Sequence, residues 1–256
     1  MKLIKGILFT LSLLGFSSAS SARQALTYDI YHLAVQSQSR LERDIKRDAT
    51  RHPKEVLAFF EIEQGQTILD LFSGGGYYSE LISYVVGPKG KVIAHNNQAY
   101  LPFAKEDLDE RRYATRLPNV TTLLSEANDL DLAAGYFDRV FYILGFHDIY
   151  YRDETWPEID DEKLIAKLFH SLKPGGIVAI IDHDAMPGTG LETAQAFHRL
   201  SSEHVIKKMT QAGFILTDSA EILKNEADPL TISVFDKAIR GKTSRYMLKF
   251  TKPQLH

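Results

Sequence analysis

The amino-acid sequence predicts one α/β domain, built on a doubly wound, mostly parallel sheet of seven strands with an N-terminal helical lid. From Thr67 onward, short apolar runs alternate with helical segments, an order typical of parallel strands covered by helices on both faces. A glycine cluster, Ser73-Gly74-Gly75-Gly76, directly follows the first of these runs and precedes a helix. The chain has 256 residues, of which 44% are hydrophobic and 25% charged, and this suits one large domain.

The predicted elements can be placed in chain order. Apolar residues at helical spacing between Tyr28 and Asp48 predict one or two surface helices, which would form the lid, and Pro53 suits the first turn of the next helix. The predicted strands are Thr67 to Phe72, Lys91 to His95, Val120 to Leu124, Asp138 to Leu144, Ile177 to Asp182, Phe214 to Glu221 and Arg245 to Thr251. The later predicted helices are Tyr77 to Val86, Lys105 to Arg116, Asp160 to Leu172 and Ser202 to Ala212.

The first 22 residues have the order of a secretory signal peptide. Lys2 and Lys5 precede an apolar run from Ile7 to Phe16, and small residues follow as far as Ala22. The apolar run is shorter than the roughly 20 residues that span a bilayer. We therefore expect cleavage after Ala22, a folded domain over residues 23–256, export to the periplasm and no stable membrane span; an uncleaved interfacial anchor is the alternative.

Composition excludes several classes of function. The chain carries 30 basic and 33 acidic side chains, for a formal net charge of −3, so we expect no nucleic-acid partner. It has no cysteine, which excludes disulfides, thiolate metal sites and cysteine nucleophiles. Nothing in the sequence indicates an oligomeric state.

The glycine cluster predicts a ligand site, because glycine lets a ligand approach bare backbone between a strand and a helix. Asp70 lies near the end of the preceding strand. A carboxylate there is unfavourable beside phosphates but suits a cationic, phosphate-free ligand such as S-adenosylmethionine. No Lys-Ser or Lys-Thr pair follows the glycines, which excludes a phosphate-binding P-loop. A purely structural glycine turn is the alternative.

These residues resemble the class I S-adenosylmethionine-dependent methyltransferase family, whose first motif is an acidic residue followed by a short glycine-rich run. The resemblance extends from Pro53 to Pro253. More narrowly, the chain resembles a group of exported bacterial proteins known only as predicted methyltransferases. The segments shared with that group are 48–53, 74–78, 146–148, 182–188, 198–199 and 212–214.

The resemblance implies a cofactor, S-adenosylmethionine, and the residues that bind it. The residues implied at the methionine and ribose end are Asp70, Ser73, Gly74, Gly75 and Gly76, and those implied at the adenine are Glu126 and Ala127. Asn96 stands where the family usually has an acidic residue that accepts both ribose hydroxyls. An uncharged amide there is expected to weaken cofactor binding by roughly tenfold without excluding it.

Histidine and aspartate residues follow two predicted strands that should end at the ligand-binding edge of the sheet. His147-Asp148 follows the fourth strand, and Asp182-His183 ends the fifth. A histidine here could act as the general base for methyl transfer, or the four residues could hold a divalent metal. We favour the base and assign no metal, because no tight ligand spacing is visible. Helix capping and backbone hydrogen bonding are the structural alternatives.

Two further residues complete the predicted site. His198 and Arg199 follow a glycine-containing loop that could fold back over the sheet edge, with Arg199 binding an anionic group of the substrate. Together with the resemblance, the pattern predicts an enzyme that transfers a methyl group from S-adenosylmethionine to a small molecule. The alternative is an exported ligand-binding protein, or an enzyme of another class, that retains the fold.

Overall fold

The computed structural model describes residues 30–254 of the protein. The predicted signal peptide lies outside the described residues, so cleavage after Ala22 stays a prediction. Within residues 30–254, the structure contains no helix that combines the length and the apolar character needed to cross a membrane.

The seven strands form one sheet in the order β3-β2-β1-β4-β5-β7-β6. The strands are β1 (Thr67–Leu71), β2 (Lys91–Asn96), β3 (Val120–Leu124), β4 (Phe137–Ile143), β5 (Leu172–His183), β6 (Ile215–Ala220) and β7 (Arg245–Thr251). Strands β1 to β5 pair in parallel, whereas β7 is antiparallel to both β5 and β6. The predicted fold class is confirmed, and the reversal of order at β1 creates the crevice where such sheets bind ligands.

The helices cover both faces of the sheet. They are α1 (Glu42–Arg51), α2 (Pro53–Phe59), α3 (Tyr77–Val86), α4 (Leu101–Arg111), α5 (Tyr113–Arg116), α6 (Asp161–Ser171), α7 (Glu192–Phe197) and α8 (Ser202–Gln211). A further helical stretch at 30–35 precedes α1.

Alternation along the strands separates the core into two layers, as the period-2 geometry of a strand requires. Leu69, Leu71 and Val140 belong to one apolar cluster, which includes side chains of α6 and α8. Ile68 and Phe141 belong to the other, which includes side chains of α2 and α3. Because both faces are covered, the carboxyl ends of the parallel strands remain the place where polar side chains can meet a ligand.

Two predicted boundaries differ from the structure, and one helix was missed. The helix predicted from Lys105 to Arg116 is two helices, because Arg112 has a φ of 47° and ends the helical geometry. Strand β5 begins at Leu172 and so includes the predicted turn at 173–176, with an irregular register before Ile177. Helix α7 had no strong apolar periodicity and was not predicted.

Candidate functional site

The start of the loop that follows β1 is anchored to the ends of β2 and β3. Ser73 donates its backbone N–H to the carbonyl of His95 at 2.7 Å. The His95 ring accepts from the backbone N–H of Phe72 at 3.3 Å and contacts the Ser125 carbonyl at 2.9 Å. Burial lowers the pKa of His95 to about 4, so the neutral ring can both accept and donate. This histidine therefore fixes where the glycine loop begins.

The three glycines of the loop have different surroundings. A side chain on Gly74, which has a φ of 55°, would meet nothing within 4 Å, so its backbone faces open space. A Cβ on Gly75 would lie 2.3 Å from a carboxylate oxygen of Asp107, and one on Gly76 would lie 1.8 Å from the Tyr113 hydroxyl. Gly74 is thus the glycine that can approach a ligand, whereas Gly75 and Gly76 are needed for packing against α4 and α5.

Asn96 cross-links the loop, which accounts for an amide at this position. Its Oδ1 accepts from the Gly74 N–H at 2.8 Å, while its Nδ2 donates to the Gly74 carbonyl at 3.0 Å and to the Ser73 hydroxyl at 3.2 Å. A carboxylate could accept from the Gly74 N–H and from the Ser73 hydroxyl, but it could not donate to the Gly74 carbonyl. The amide therefore holds the loop through both of its ends.

Asp70 lies under the loop with only 2% of its surface exposed. Ser79 of α3 donates its hydroxyl to the Asp70 carboxylate at 2.6 Å. Burial raises the pKa of Asp70 to about 7, against the opposing effects of Ser79 and Arg111. Ionising this carboxyl group is costly in the free protein, but a cationic ligand bound beside it would stabilise the ionised form.

A cavity of about 170 Å³ lies above this carboxyl group. Its walls include Gly74, Tyr100 and Arg51 of α1. Ligand pockets commonly measure 300 Å³ or more, so a complete nucleoside cofactor requires Tyr100 or α1 to shift. A larger groove of about 630 Å³, around Gly87 and Asn119, lies at the opposite end of the strands, where ligands of such sheets do not bind.

The residues predicted to hold an adenine lie outside this cavity. The Oε1 atom of Glu126 accepts from the Gln98 N–H at 3.1 Å, but its Oε2 atom is buried and has no partner among the described residues. Ala127 is 2% exposed and begins a short 3₁₀ helix. The rings of Phe72 and Tyr100 stack at 5.3 Å between centroids. Glu126 therefore has one acceptor oxygen without a partner among the described residues.

Four of the predicted catalytic residues form one cluster at the ends of β4 and β5. Asp182 accepts from both the ring Nδ1 and the backbone N–H of His147, each at 2.7 Å. The other ring nitrogen of His147, Nε2, lies 3.3 Å from Asp148 Oδ1, and His198 Nδ1 lies 3.8 Å from that same oxygen. Tyr100 donates its hydroxyl to the second Asp148 oxygen at 2.6 Å. The predicted fold-back of His198 brings it to this cluster.

The two central histidines differ in charge. Burial opposes ionisation of His147, but the carboxylates of Asp182 and Asp148 outweigh it and raise the pKa of His147 to about 9. Burial and the neighbouring cations lower the pKa of His183 well below its usual value. His183 bonds to the Thr243 hydroxyl at 2.7 Å. Neither His147 nor His183 lines the cavity at Gly74, so the structure does not place these two predicted bases at the loop.

Arg199 does not have its predicted role. Its side chain is fully buried and pairs with both carboxylate oxygens of Asp228, at 2.9 and 3.0 Å. It also donates to the carbonyls of Asp184 and Ile232, each at 2.9 Å. With these donors engaged, Arg199 holds the loop around Asp228 against the end of β5 and is unavailable to a substrate.

Two residues of the site were not predicted as such. The guanidinium of Arg51 lies 4.4 Å above the ring of Tyr77 and makes no hydrogen bond or ion pair within residues 30–254. Arg51 lies in segment 48–53, which is one of the segments that carried the narrower resemblance. That resemblance was the signal from which its place in the site could have been predicted. Tyr100 links the cavity to the histidine cluster, and no pattern in the sequence indicates this role.

Comparison with known proteins finds a matching family and several relatives of the chain. A family model described as a methyltransferase domain matches residues 62–250. The ubiquinone/menaquinone biosynthesis C-methyltransferase UbiE of Yersinia pestis is 24% identical over 181 residues, 70% of this chain and 65% of that protein. The corresponding protein of Stutzerimonas stutzeri is 23% identical, over 69% of this chain and 62% of its own length. The chain thus spans less than two thirds of the length of these relatives.

Solved structures show the same fold. A SAM-dependent methyltransferase from Aquifex aeolicus has a TM-score of 0.58 at 24% identity, over 88% of this chain and 98% of that one. The cyclase SpnF has a TM-score of 0.57 at 16% identity, over 81% of this chain and 82% of its own. Because a cyclase shares the fold, the fold alone does not determine the reaction. The family model matches most of the sequence, and the chain belongs to the methyltransferase domain family.

Proposed function

We propose that this protein transfers the methyl group of S-adenosylmethionine to a small-molecule acceptor bound beside the loop at Gly74. The observation that carries the proposal is the open backbone of Gly74 after the carboxyl end of β1, which lines the same cavity as the buried carboxyl group of Asp70. Membership of the methyltransferase domain family supports the same reaction.

The residues present fit this cofactor at three points. Gly74 leaves space that a Cβ would fill, and Asp70 is a buried acid that a cation would stabilise in its ionised form. Glu126 offers a buried oxygen that lacks a partner within residues 30–254, which suits an amino group. The amide of Asn96 is committed to the loop, so the ribose is bound without the charged partner that the family usually supplies.

The chain's own residues bind and orient the cofactor and the acceptor, and they exclude water from the site. When bound, S-adenosylmethionine supplies a methyl group on a sulfonium, which an aligned nucleophile can accept. Asp70 favours the positive charge of the cofactor, and Arg51 offers a guanidinium for an anionic group of the cofactor or the acceptor. Helix α1 covers the cavity. It is held there by Tyr77, whose hydroxyl donates to Asp48 of α1 at 2.6 Å. This cover limits access of water to the reacting groups.

We further propose that the acceptor is small and that the protein acts outside the cytoplasm. The cavity is enclosed by α1 and by the tyrosines at 77, 78 and 100, which supports a small acceptor over a macromolecule. The lysines, apolar run and small residues of the first 22 residues support export of the mature domain.

Replacing Gly74 with asparagine is expected to abolish measurable binding of S-adenosylmethionine in a calorimetric titration. Asparagine tolerates the left-handed backbone conformation at this position, so the fold should persist while the side chain fills the ligand space. The wild-type protein should bind one cofactor per chain.

Gly135→Asn is the matched control. Gly135 has a φ of 60° and open space within 4 Å, but it lies in the turn before β4, away from the loop. This variant should therefore bind the cofactor as the wild type does. If the wild type fails to bind, or if both variants bind equally well, the proposal is wrong.

A further inference from the structure

The histidine cluster brings three potential metal ligands together from two separate segments of the chain. The ligand atoms of His147, Asp148 and His198 all lie within 4.8 Å of one another. The separation of His147 Nε2 from Asp148 Oδ1 is 3.3 Å, and that of His198 Nδ1 from Asp148 Oδ1 is 3.8 Å. Ligands at about 2.1 Å from a tetrahedral ion are roughly 3.4 Å apart, so these distances require little movement.

Neighbouring residues orient two of the three ligands. Asp182 accepts from Nδ1 of His147 at 2.7 Å, which directs Nε2 toward the other two ligands. Tyr100 donates to Oδ2 of Asp148 at 2.6 Å, which leaves Oδ1 facing the histidines. A carboxylate behind a histidine is the usual arrangement in protein metal sites, because it fixes the tautomer and the direction of the ring.

His198 is held in place without a hydrogen bond to the cluster. Its ring lies 4.4 Å from that of Tyr151 and 4.9 Å from that of Phe235, measured between centroids. Its backbone has a φ of 54°, in the left-handed region that residues other than glycine seldom adopt. The adjacent Arg199 secures this conformation through its buried pair with Asp228. The fold thus holds a third ligand close to Asp148 at a cost in backbone strain.

We propose that His147, Asp148 and His198 bind a divalent transition-metal ion of the zinc or iron(II) type, with Asp182 as the positioning residue behind His147. Two imidazoles and one carboxylate suit such ions, and the ion displaces the Nε2 proton of His147 to solvent when it binds. Three protein ligands leave further coordination positions for water or a substrate oxygen. His183, which belonged to the predicted metal set, bonds to Thr243 and takes no part.

This site is separate from the cofactor cavity and does not depend on the proposed methyl transfer. Tyr100 connects the two, since it lines the cavity and donates to Asp148. A metal that binds in the absence of S-adenosylmethionine would support the site even if the cofactor did not bind.

The test measures metal content and affinity on the full chain with the metal alone as the probe. After treatment with a chelator and dialysis against zinc, the wild type should retain one zinc per chain. His198→Asn should lower the affinity at least tenfold, because asparagine keeps the left-handed backbone but is too short to reach the ion. Asp182→Asn should lower it 10- to 100-fold while all three ligands remain.

Cobalt(II) provides a spectroscopic readout, since its visible absorption reports the loss of an imidazole ligand. His170→Ala is the control, because the side chain of this exposed histidine, within residues 30–254, bonds only to the Ala166 carbonyl of its own helix, so the change should leave metal binding unchanged. Circular dichroism verifies that each variant is folded, and His198, at 18% side-chain exposure, is a position where folding should persist. Absence of zinc and cobalt binding in the wild type, or equal binding by wild type and His198→Asn, would overturn the proposal.

Discussion

Asp70→Asn is expected to weaken S-adenosylmethionine binding by tenfold or more while it stabilises the free protein at pH 8. The buried carboxyl group of Asp70 has a pKa of about 7, well above that of an exposed aspartate near 3.9. Its ionisation in the folded protein therefore costs on the order of 2–4 kcal/mol, which asparagine removes. A hydrogen bond to a charged group contributes about 1.5–3 kcal/mol, and the cofactor loses that contribution.

The raised pKa of Asp70 makes both the stability of the protein and its affinity for the cofactor depend on pH. Since the folded protein retains the proton to a higher pH than the unfolded chain, the stability that Asp70 contributes is fully present below about pH 4. It is lost as the pH rises through 7. Cofactor affinity should rise over the same range, because the ionised form binds the cation.

Urea unfolding and calorimetric titration at pH 5, 7 and 8 measure both quantities. The exposed carboxylate of Asp109, paired with Lys105, is the control, and Asp109→Asn should change stability by about 0.5 kcal/mol or less. An unchanged cofactor affinity in Asp70→Asn would contradict the assigned role of this residue.

Arg111→Met should destabilise the protein by about 3–5 kcal/mol and loosen the glycine loop. The Arg111 side chain is fully buried and pairs with Asp44 of α1 at 2.5 Å and with Glu80 of α3. It also donates to the Gly75 carbonyl. Removing its charge leaves two buried carboxylates without their main partner, so unfolding in urea should occur at a clearly lower concentration.

Two comparisons separate this effect from a general loss of packing. Adding Asp44→Asn and Glu80→Gln to Arg111→Met should recover part of the stability, because the uncompensated charges are gone. Arg43→Met removes a partly exposed arginine that pairs with Asp107, and it should cost about 1 kcal/mol or less. A stability loss in Arg111→Met no larger than that of Arg43→Met would show that the buried network is not needed.

The sheet could be predicted from the sequence because its strands are short apolar runs between clear turns. The seven predicted strands are present, and the glycine loop lies where the strand β1 and the helix α3 meet. Helix boundaries were less predictable. The break at Arg112 depends on a backbone conformation that the sequence around it does not indicate.

The site could be predicted in part, since most of its residues were identified but Arg51, Tyr100 and several contacts were not. Chemistry at the strand ends indicated His147, Asp148 and Asp182, which do meet. Arg199 was assigned to a substrate because its partner, Asp228, lies 29 residues away in a segment without a regular pattern. The role of Tyr100 was missed for the same reason, because its partner, Asp148, lies 48 residues away in the sequence. Long-range pairing of polar side chains is set by the packed fold and has no local signature.

A crystal structure of the protein grown with S-adenosylmethionine tests the central claim most directly. The account predicts cofactor density against the backbone of Gly74, with the adenine amino group near Glu126 and the Tyr100 side chain or helix α1 displaced from its position in the free protein. Density at any other place on the molecule, or an unchanged cavity at saturating cofactor, would contradict it.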